Sequence, residues 1–224
     1  MQAIEGAVIA CAGLGSRLGL GLPKCLIEVE GQTILSRLIE SLEPYVPRIH
    51  IVIGYREEMI ADYCARHHRD VVLVRNPRFR ETNTAYSISL GSLGFRSKVL
   101  FMDGDLIIGR ESLADFIRMA ARYPTLIGVT QAKSENAVLA AISKKEGSDL
   151  AITAFSKGLD SCYEWANIFS GAPVQMDDAK GFVYEVLEQI LPLPACLLEL
   201  YEVDTPRDLL VAKAFMSMRM DSLS

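Results

Sequence analysis

The stretch AVIACAGLGSRLGLGLPKCL, residues 7–26, concentrates the residue types that hold a phosphate. An apolar run feeds straight into Gly13-Leu14-Gly15-Ser16, and Arg17 and Lys24 follow close behind. Glycine has no Cβ and tolerates positive φ, so the backbone N–H groups of such a loop can turn toward an anion. Arg17 and Lys24 add two full positive charges to the same rim. A flexible strand-to-helix connection would explain the glycines alone. It does not explain Ser16-Arg17, or Pro23-Lys24, where a rigid proline sets a lysine immediately before an expected strand. A Walker A loop requires lysine directly after its second conserved glycine, and a dinucleotide fingerprint requires Gly or Ala where this chain has Leu18. The loop fits neither register. A second cluster, Asp103-Gly104-Asp105, follows the apolar run Lys98–Met102.

These groups need elements to position them, and the sequence alternates strand and helix. Strands are predicted at Gly6–Ala12, Ile49–Ile53, Val71–Val74 and Lys98–Met102. Helices are predicted at Thr33–Leu42, capped by Thr33, and at Glu57–His67, Thr84–Leu93 and Glu111–Arg122. This rhythm predicts an α/β fold with a Rossmann-like mixed, mostly parallel central sheet flanked by helices. Ligands of such sheets bind at the carboxyl ends of strands, where both the glycine loop and Asp103-Gly104-Asp105 fall. After residue 126 the rhythm changes to short strands at Leu126–Thr130, Val138–Ser143, Leu150–Phe155 and Tyr163–Phe169. A helix within Val174–Ile190, a strand Cys196–Val203 and a helix from Pro206 complete the reading. A β-rich insertion that returns to the main sheet is expected. One domain spans 1–224, in parts 1–125, 126–200 and 201–224, with no linker, repeat or low-complexity tract.

Composition narrows the classes. The chain has 224 residues, 50% of them apolar, enough for a sizeable core, and a net charge of −5. That charge argues against nonspecific nucleic-acid binding and requires local cations for any polyanionic ligand. No apolar run approaches a membrane span, and MQAIEG lacks the marks of a signal peptide. Five cysteines at irregular spacing suggest neither a disulfide framework nor a zinc site. A soluble, cytoplasmic protein, monomer or homodimer, is expected.

The pattern G-x-G-S-R-L-x(5)-P-K-x-L resembles the start motif of the nucleotidyltransferases that couple an NTP to a phosphorylated small molecule. Within them the chain most resembles the LicC-like phosphocholine cytidylyltransferase branch. The likeness continues through Asn76-Pro77, Glu81-Thr82-Asn83-Thr84-Ala85-Tyr86-Ser87, Met102-Asp103-Gly104-Asp105 and Tyr201-Glu202-Val203-Asp204-Thr205. It implies the nucleotide-diphospho-sugar transferase fold, with the β-rich part on the acceptor side. It also implies an Mg²⁺-dependent reaction in which an acceptor phosphate attacks the α-phosphorus of CTP and pyrophosphate leaves. Such chemistry is mostly positioning and charge neutralisation. Mg²⁺ favours carboxylate oxygens, and the resemblance makes Asp105 and Asp204 its ligands, with Glu202 a third. Asp103 is read as a turn residue or as a participant. Arg17 would hold the leaving β- and γ-phosphates as a planar fork, and Lys24 the α-phosphate or the acceptor phosphate. Cys11, Ala12, Gly13, Gly15 and Ser16, with Thr82, Asn83 and Thr84, would form the nucleotide pocket, Asn83 offering donor and acceptor to a pyrimidine edge.

For the acceptor, phosphocholine leads, because aromatic faces with nearby acids recognise a quaternary ammonium. Trp165 and Glu164 with Tyr86 are the expected cage, Asp160 and Tyr184 completing it; a core role for the tryptophan is the competing reading. The alternatives are a sugar-1-phosphate nucleotidyltransferase using another NTP, and an inactive binding module on the same fold. Cys11 has no histidine near it in sequence to make it a nucleophile, and Cys25 reads as a small core residue. His50, His67 and His68 read as solvated or structural.

Overall fold

Alternation decides how the first strand is buried. In β1 (Gly6–Cys11) the side chains of Ala7, Ile9 and Cys11 enter one apolar cluster and that of Val8 enters another on the opposite face. The same split recurs in the strand Ile49–Ile53, where Ile49, Ile51 and Ile53 face the first cluster and Val52 the second. Strands covered on both faces read as continuous apolar runs, as these do.

The computed structural model describes residues 3–15, 18–134, 137–144, 150–174 and 181–221. After β1, a 3-10 turn (Lys24–Leu26) precedes β2 (Glu28–Val29) and β3 (Gln32–Thr33), which form a small hairpin. Helix α1 (Ile34–Leu42) starts where expected, because the Thr33 hydroxyl accepts the Ser36 N–H at 3.1 Å. Then follow β4 (Ile49–Ile53), α2 (Glu57–His67), β5 (Val72–Arg75), α3 (Thr84–Gly91) and β6 (Val99–Asp103). Next come β7 (Leu106–Ile108), α4 (Arg110–Ala120), β8 (Leu126–Gln131), β9 (Leu139–Lys144), β10 (Leu150–Ser156) and β11 (Tyr163–Gly171). The described chain closes with α5 (Val183–Glu188), β12 (Leu193–Leu197), β13 (Leu200–Glu202) and α6 (Pro206–Asp221).

The main sheet runs β5-β4-β1-β6-β11-β8-β12-β10-β9. Its first four strands are all parallel, and from β11 onward antiparallel pairs dominate, β12 with β8 being parallel. The β-rich second half is therefore continuous with the α/β half through the β6–β11 pair. Strand β13 leaves this sheet and pairs with β7 alone. No helix among the described residues is long and apolar enough to cross a membrane.

Three expectations change. The predicted Cys196–Val203 strand is two strands in two sheets. The Leu198 N–H bonds Val129 O at 2.7 Å and the Glu199 N–H bonds Ser112 Oγ at 2.9 Å, so the chain is drawn off β8 and onto β7. Of the helix expected within Val174–Ile190, residues 175–180 lie outside the described residues and α5 begins only at Val183. There the Glu185 carboxylate accepts the Phe182 N–H at 2.8 Å and fixes the start. Lys24 does not directly precede a strand. It opens the 3-10 turn, with the Leu26 N–H on Pro23 O and the Ile27 N–H on Lys24 O, both at 3.0 Å.

Candidate active site

The carboxyl ends of β1 and β6 approach closely at Gly104. Its N–H bonds Ala10 O at 2.9 Å. A Cβ there would meet Cys11 Sγ at 2.3 Å and Ala10 O at 3.0 Å. Only glycine lets the Asp103-Gly104-Asp105 turn sit this tightly over β1. From the turn, the Asp105 carbonyl accepts the Val203 N–H at 2.9 Å, which brings the end of β13 alongside. Asp204 is then held by the start of α6. Asp208 Oδ2 accepts the Asp204 N–H at 3.3 Å and the Thr205 N–H at 2.8 Å, while Thr205 Oγ1 accepts the Asp208 N–H at 3.2 Å. Two acids almost a hundred residues apart in sequence thus converge.

Lys24 joins them. Its Nζ donates to Asp105 Oδ2 at 2.7 Å and also to Asp204 Oδ1. Burial works against its charge, but the Asp105 and Asp204 carboxylates prevail and hold the ammonium above its ordinary range. Glu202 is pushed up to about 9, by burial first and then by Asp105, Asp204 and Asp103, with Lys24 opposing. Burial and the Asp105 charge likewise raise Asp103 well above the carboxylate range. One oxygen each from Asp105, Glu202 and Asp204 lies within 4.8 Å of the others. Asp105 Oδ1 is buried without a hydrogen-bond partner among the described residues. A set of hard oxygen donors with an orphaned oxygen and surplus negative charge fits a divalent cation such as Mg²⁺.

The loop side completes a cleft of about 430 Å³. Cys11, Ala12, Gly13 and Gly15 line it, together with Lys24, Asp105, Glu202 and Asp204. Gly15 has φ +59°, the left-handed conformation expected of the loop, and a Cβ there would meet Lys24 Cγ at 3.0 Å. Gly13 does not use positive φ; it leaves open space above the backbone. Ser16 and Arg17 lie outside the described residues. Opposite, Thr82, Asn83 and Thr84 line the same cleft. Buried Asn76 organises that turn: its Nδ2 donates to Thr82 Oγ1 and Ser87 Oγ, both at 3.0 Å, and its Oδ1 accepts the Arg78 N–H. Asn83 Nδ2 donates to Gly181 O, so in this structure that donor ties α3 to the segment before α5 rather than facing a base edge. Phe79 and Arg80 also line the cleft. Sequence reasoning passed over Arg80, although the basic run Arg78-Phe79-Arg80 beside the T-N-T turn was its signal.

A second cleft, of about 650 Å³, shares Glu202 and Asp204 with the first. Glu164 and Trp165 line it, but the expected cage does not assemble. The two are consecutive on β11 and therefore point to opposite faces. The buried Glu164 carboxylate is taken by the N–H groups of Lys133 and Ser134, both at 3.1 Å, and by Ser134 Oγ at 2.9 Å. The Trp165 ring meets Phe155 edge-on at 5.9 Å and lies 6.1 Å from Phe169. Tyr184 stacks on Phe182 at 5.7 Å. Tyr86 is not among the residues lining either cleft; the Arg78 guanidinium sits 5.6 Å over its ring. Asp160 is exposed.

Asn167 was missed as a site residue. A bulge between Trp165 and Phe169 puts it at φ +52°, and its Nδ2 donates to Glu202 Oε2 at 3.1 Å. The histidines serve packing: His50 Nδ1 lies 2.8 Å from Gly91 O, His68 Nε2 2.6 Å from Ser36 Oγ, and His67 against Tyr63. Cys25 is a buried core residue.

The profile of the MobA-like NTP transferase domain matches residues 7–168 of the chain. The chain belongs to this nucleotidyltransferase family. The bifunctional protein GlmU of Methanococcus vannielii is 26% identical over 196 residues, covering 83% of this chain and 43% of that protein. The chain thus spans less than half the length of the GlmU proteins of Methanococcus species that it matches. Among solved structures, the inositol-1-phosphate CTP transferase from T. maritima superposes with TM-score 0.75 at 18% identity, over 93% of both chains. The CTP:phosphocholine cytidylyltransferase LicC from Streptococcus pneumoniae superposes with TM-score 0.69 at 19% identity, over 96% of this chain and 100% of that one. These likenesses show the nucleotide-diphospho-sugar transferase fold.

Proposed function

We propose that the protein is an Mg²⁺-dependent nucleotidyltransferase, with CTP the leading nucleotide and a small phosphorylated or phosphonylated compound as acceptor. An acceptor phosphoryl oxygen forms a bond to the α-phosphorus while the α–β bridging P–O bond breaks, and pyrophosphate leaves. The observation that carries the reading is the common wall of the two clefts. A nucleotide in the first and an acceptor in the second would meet at Glu202 and Asp204, beside Lys24 and Asp105. Lys24 exchanges carboxylate for phosphate contacts at the reacting phosphorus; Arg17 of the loop motif, and Arg80, which lines the cleft, serve the leaving pyrophosphate. Asp105, Asp204 and Glu202 would hold the metal ion, which would supply neutralisation of phosphate charge in the transition state. The loop Cys11–Gly15 and the turn Thr82–Thr84 hold the nucleotide. We assign residues 1–125 to NTP binding, 126–200 to acceptor binding and 201–224 to the closing metal acid and the C-terminal helix, in a cytoplasmic monomer or homodimer.

Phosphocholine is the first acceptor to test, with Trp165 as its aromatic contact. A sugar 1-phosphate is the second reading, favoured by the Glu164 carboxylate being taken by Lys133 and Ser134 rather than left for a cationic group. Pyrophosphate release from each of four NTPs against phosphocholine, 2-aminoethylphosphonate and glucose 1-phosphate decides between them. No release with any pair, metal present, would refute nucleotidyl transfer.

A further inference from the structure

Lys133 is a second lysine whose environment is unusual. It follows β8 and lines the 650 Å³ cleft. Its Nζ donates to Leu200 O and, at 3.4 Å, to Thr130 Oγ1, and it stands 4.0 Å over the centroid of the Tyr201 ring. All these partners are neutral. Among the described residues no carboxylate is within ion-pair distance of it. Partial burial depresses its basicity, with Glu164 and Glu199 opposing from further off.

The surroundings are built to present this ammonium. Glu164, only 4% exposed, spends its carboxylate on the Lys133 and Ser134 backbone. Lys98 supplies the contrast. It too is buried on neutral oxygens, Ala120 O at 2.6 Å and Tyr123 O, but these belong to the end of α4 and the turn after it, and Lys98 lines neither cleft. Carbonyls at a helix C-terminus satisfy a lysine electrostatically. Lys133 has no such helix end, and it lines a cavity that Asp204 also lines. Arg207 brings a second cation to that cavity.

We propose that Lys133 positions the acceptor by binding an oxygen of its phosphoryl or phosphonyl group. The proposal rests on the second cleft being the acceptor site. It also orients the substrate. The Tyr201 face already carries an ammonium, so a cationic tail would turn toward Trp165 and the anionic head toward Lys133.

Inorganic phosphate is the probe, titrated calorimetrically into wild type, Lys133→Met and Lys133→Arg, each saturated with metal-free CTP to fill the first cleft. Lys133→Met keeps the aliphatic stem over Tyr201. We expect it to weaken phosphate about tenfold, the scale of one charge-assisted contact, with CTP affinity within twofold and Lys133→Arg close to wild type. With phosphocholine or glucose 1-phosphate as acceptor, KM for the acceptor should rise about tenfold while KM for CTP holds. Unchanged phosphate binding in Lys133→Met, or equal losses for CTP and phosphate, overturns the assignment. So does a Lys133→Arg variant that folds but binds no better than the methionine variant. Failure of wild type to bind CTP counts against the nucleotide reading; the phosphate titration on the free protein still reads Lys133.

Discussion

The two clefts meet at one wall but are built by opposite means. On the parallel side, strands β1 and β6 end together, so groups close to strand termini meet simply because the strands are in register. On the antiparallel side, the cleft is assembled from a bulge, a clamped turn and a strand that has left its sheet. Parallel topology gathers strand ends by default. Antiparallel topology has to aim each side chain separately, and one inversion of face removes a residue from the site.

Breaking the acid cluster beside the shared wall should have the largest effect. Asp105→Asn keeps size and removes charge; we expect loss of at least a thousandfold in turnover with the circular dichroism spectrum unchanged. Near-normal turnover with Mg²⁺ would take Asp105 out of the metal set. Lys24→Ala tests the ammonium held between Asp105 and Asp204. Loss of a charge-assisted contact in the transition state should cost about 3 kcal/mol, a drop of roughly a hundredfold in kcat/KM, and comparison with Lys24→Met would separate charge from packing. Gly104→Ala tests whether the parallel register itself sets the site. A Cβ 2.3 Å from Cys11 Sγ forces β1 and β6 apart, and overpacking of this kind costs about 1–3 kcal/mol, measurable by urea denaturation. On the acceptor side, Trp165→Ala should raise KM for the acceptor more than KM for CTP. Equal effects would make the indole a core residue.

The smallest expected effect is on pH dependence. Glu202 stands near 9 in the folded protein against an ordinary 4.5. A carboxyl raised on folding contributes stability that is fully present below 4.5 and lost as pH rises through 9. The metal-free protein should therefore melt at a lower temperature at pH 8.5 than at pH 6, and Glu202→Gln should flatten that slope. A wild-type melting temperature that climbs over the same interval would contradict the buried acid cluster.

Most of the parallel half was legible. Thr33 as a cap, the apolar period of α1 and the runs of β4 and β6 are local signals, and local signals survive into the fold. Gly15 was legible too, because only glycine adopts its conformation cheaply. Asn83 was half legible: its place on the cleft followed from the motif, but its amide donor was claimed by Gly181, ninety-eight residues on. The acceptor side was much less so. Nothing local says that Glu164 turns to the backbone of Lys133, or that the bulge delivers Asn167 to Glu202. Both depend on which strand lies next door.

By itself the sequence determined the alternating α/β frame, the glycine loop and the identity of the charged groups, because strand period, capping and glycine conformation are properties of short segments. Tertiary structure alone decided that Lys24 lies between Asp105 and Asp204, that Glu202 joins them under the hand of Asn167, and that Lys133 and Arg207 line the second cleft where the expected cage does not assemble. Those outcomes are Coulombic and desolvation terms between groups distant in the chain, and their size is set by separation and burial, which only the folded chain fixes.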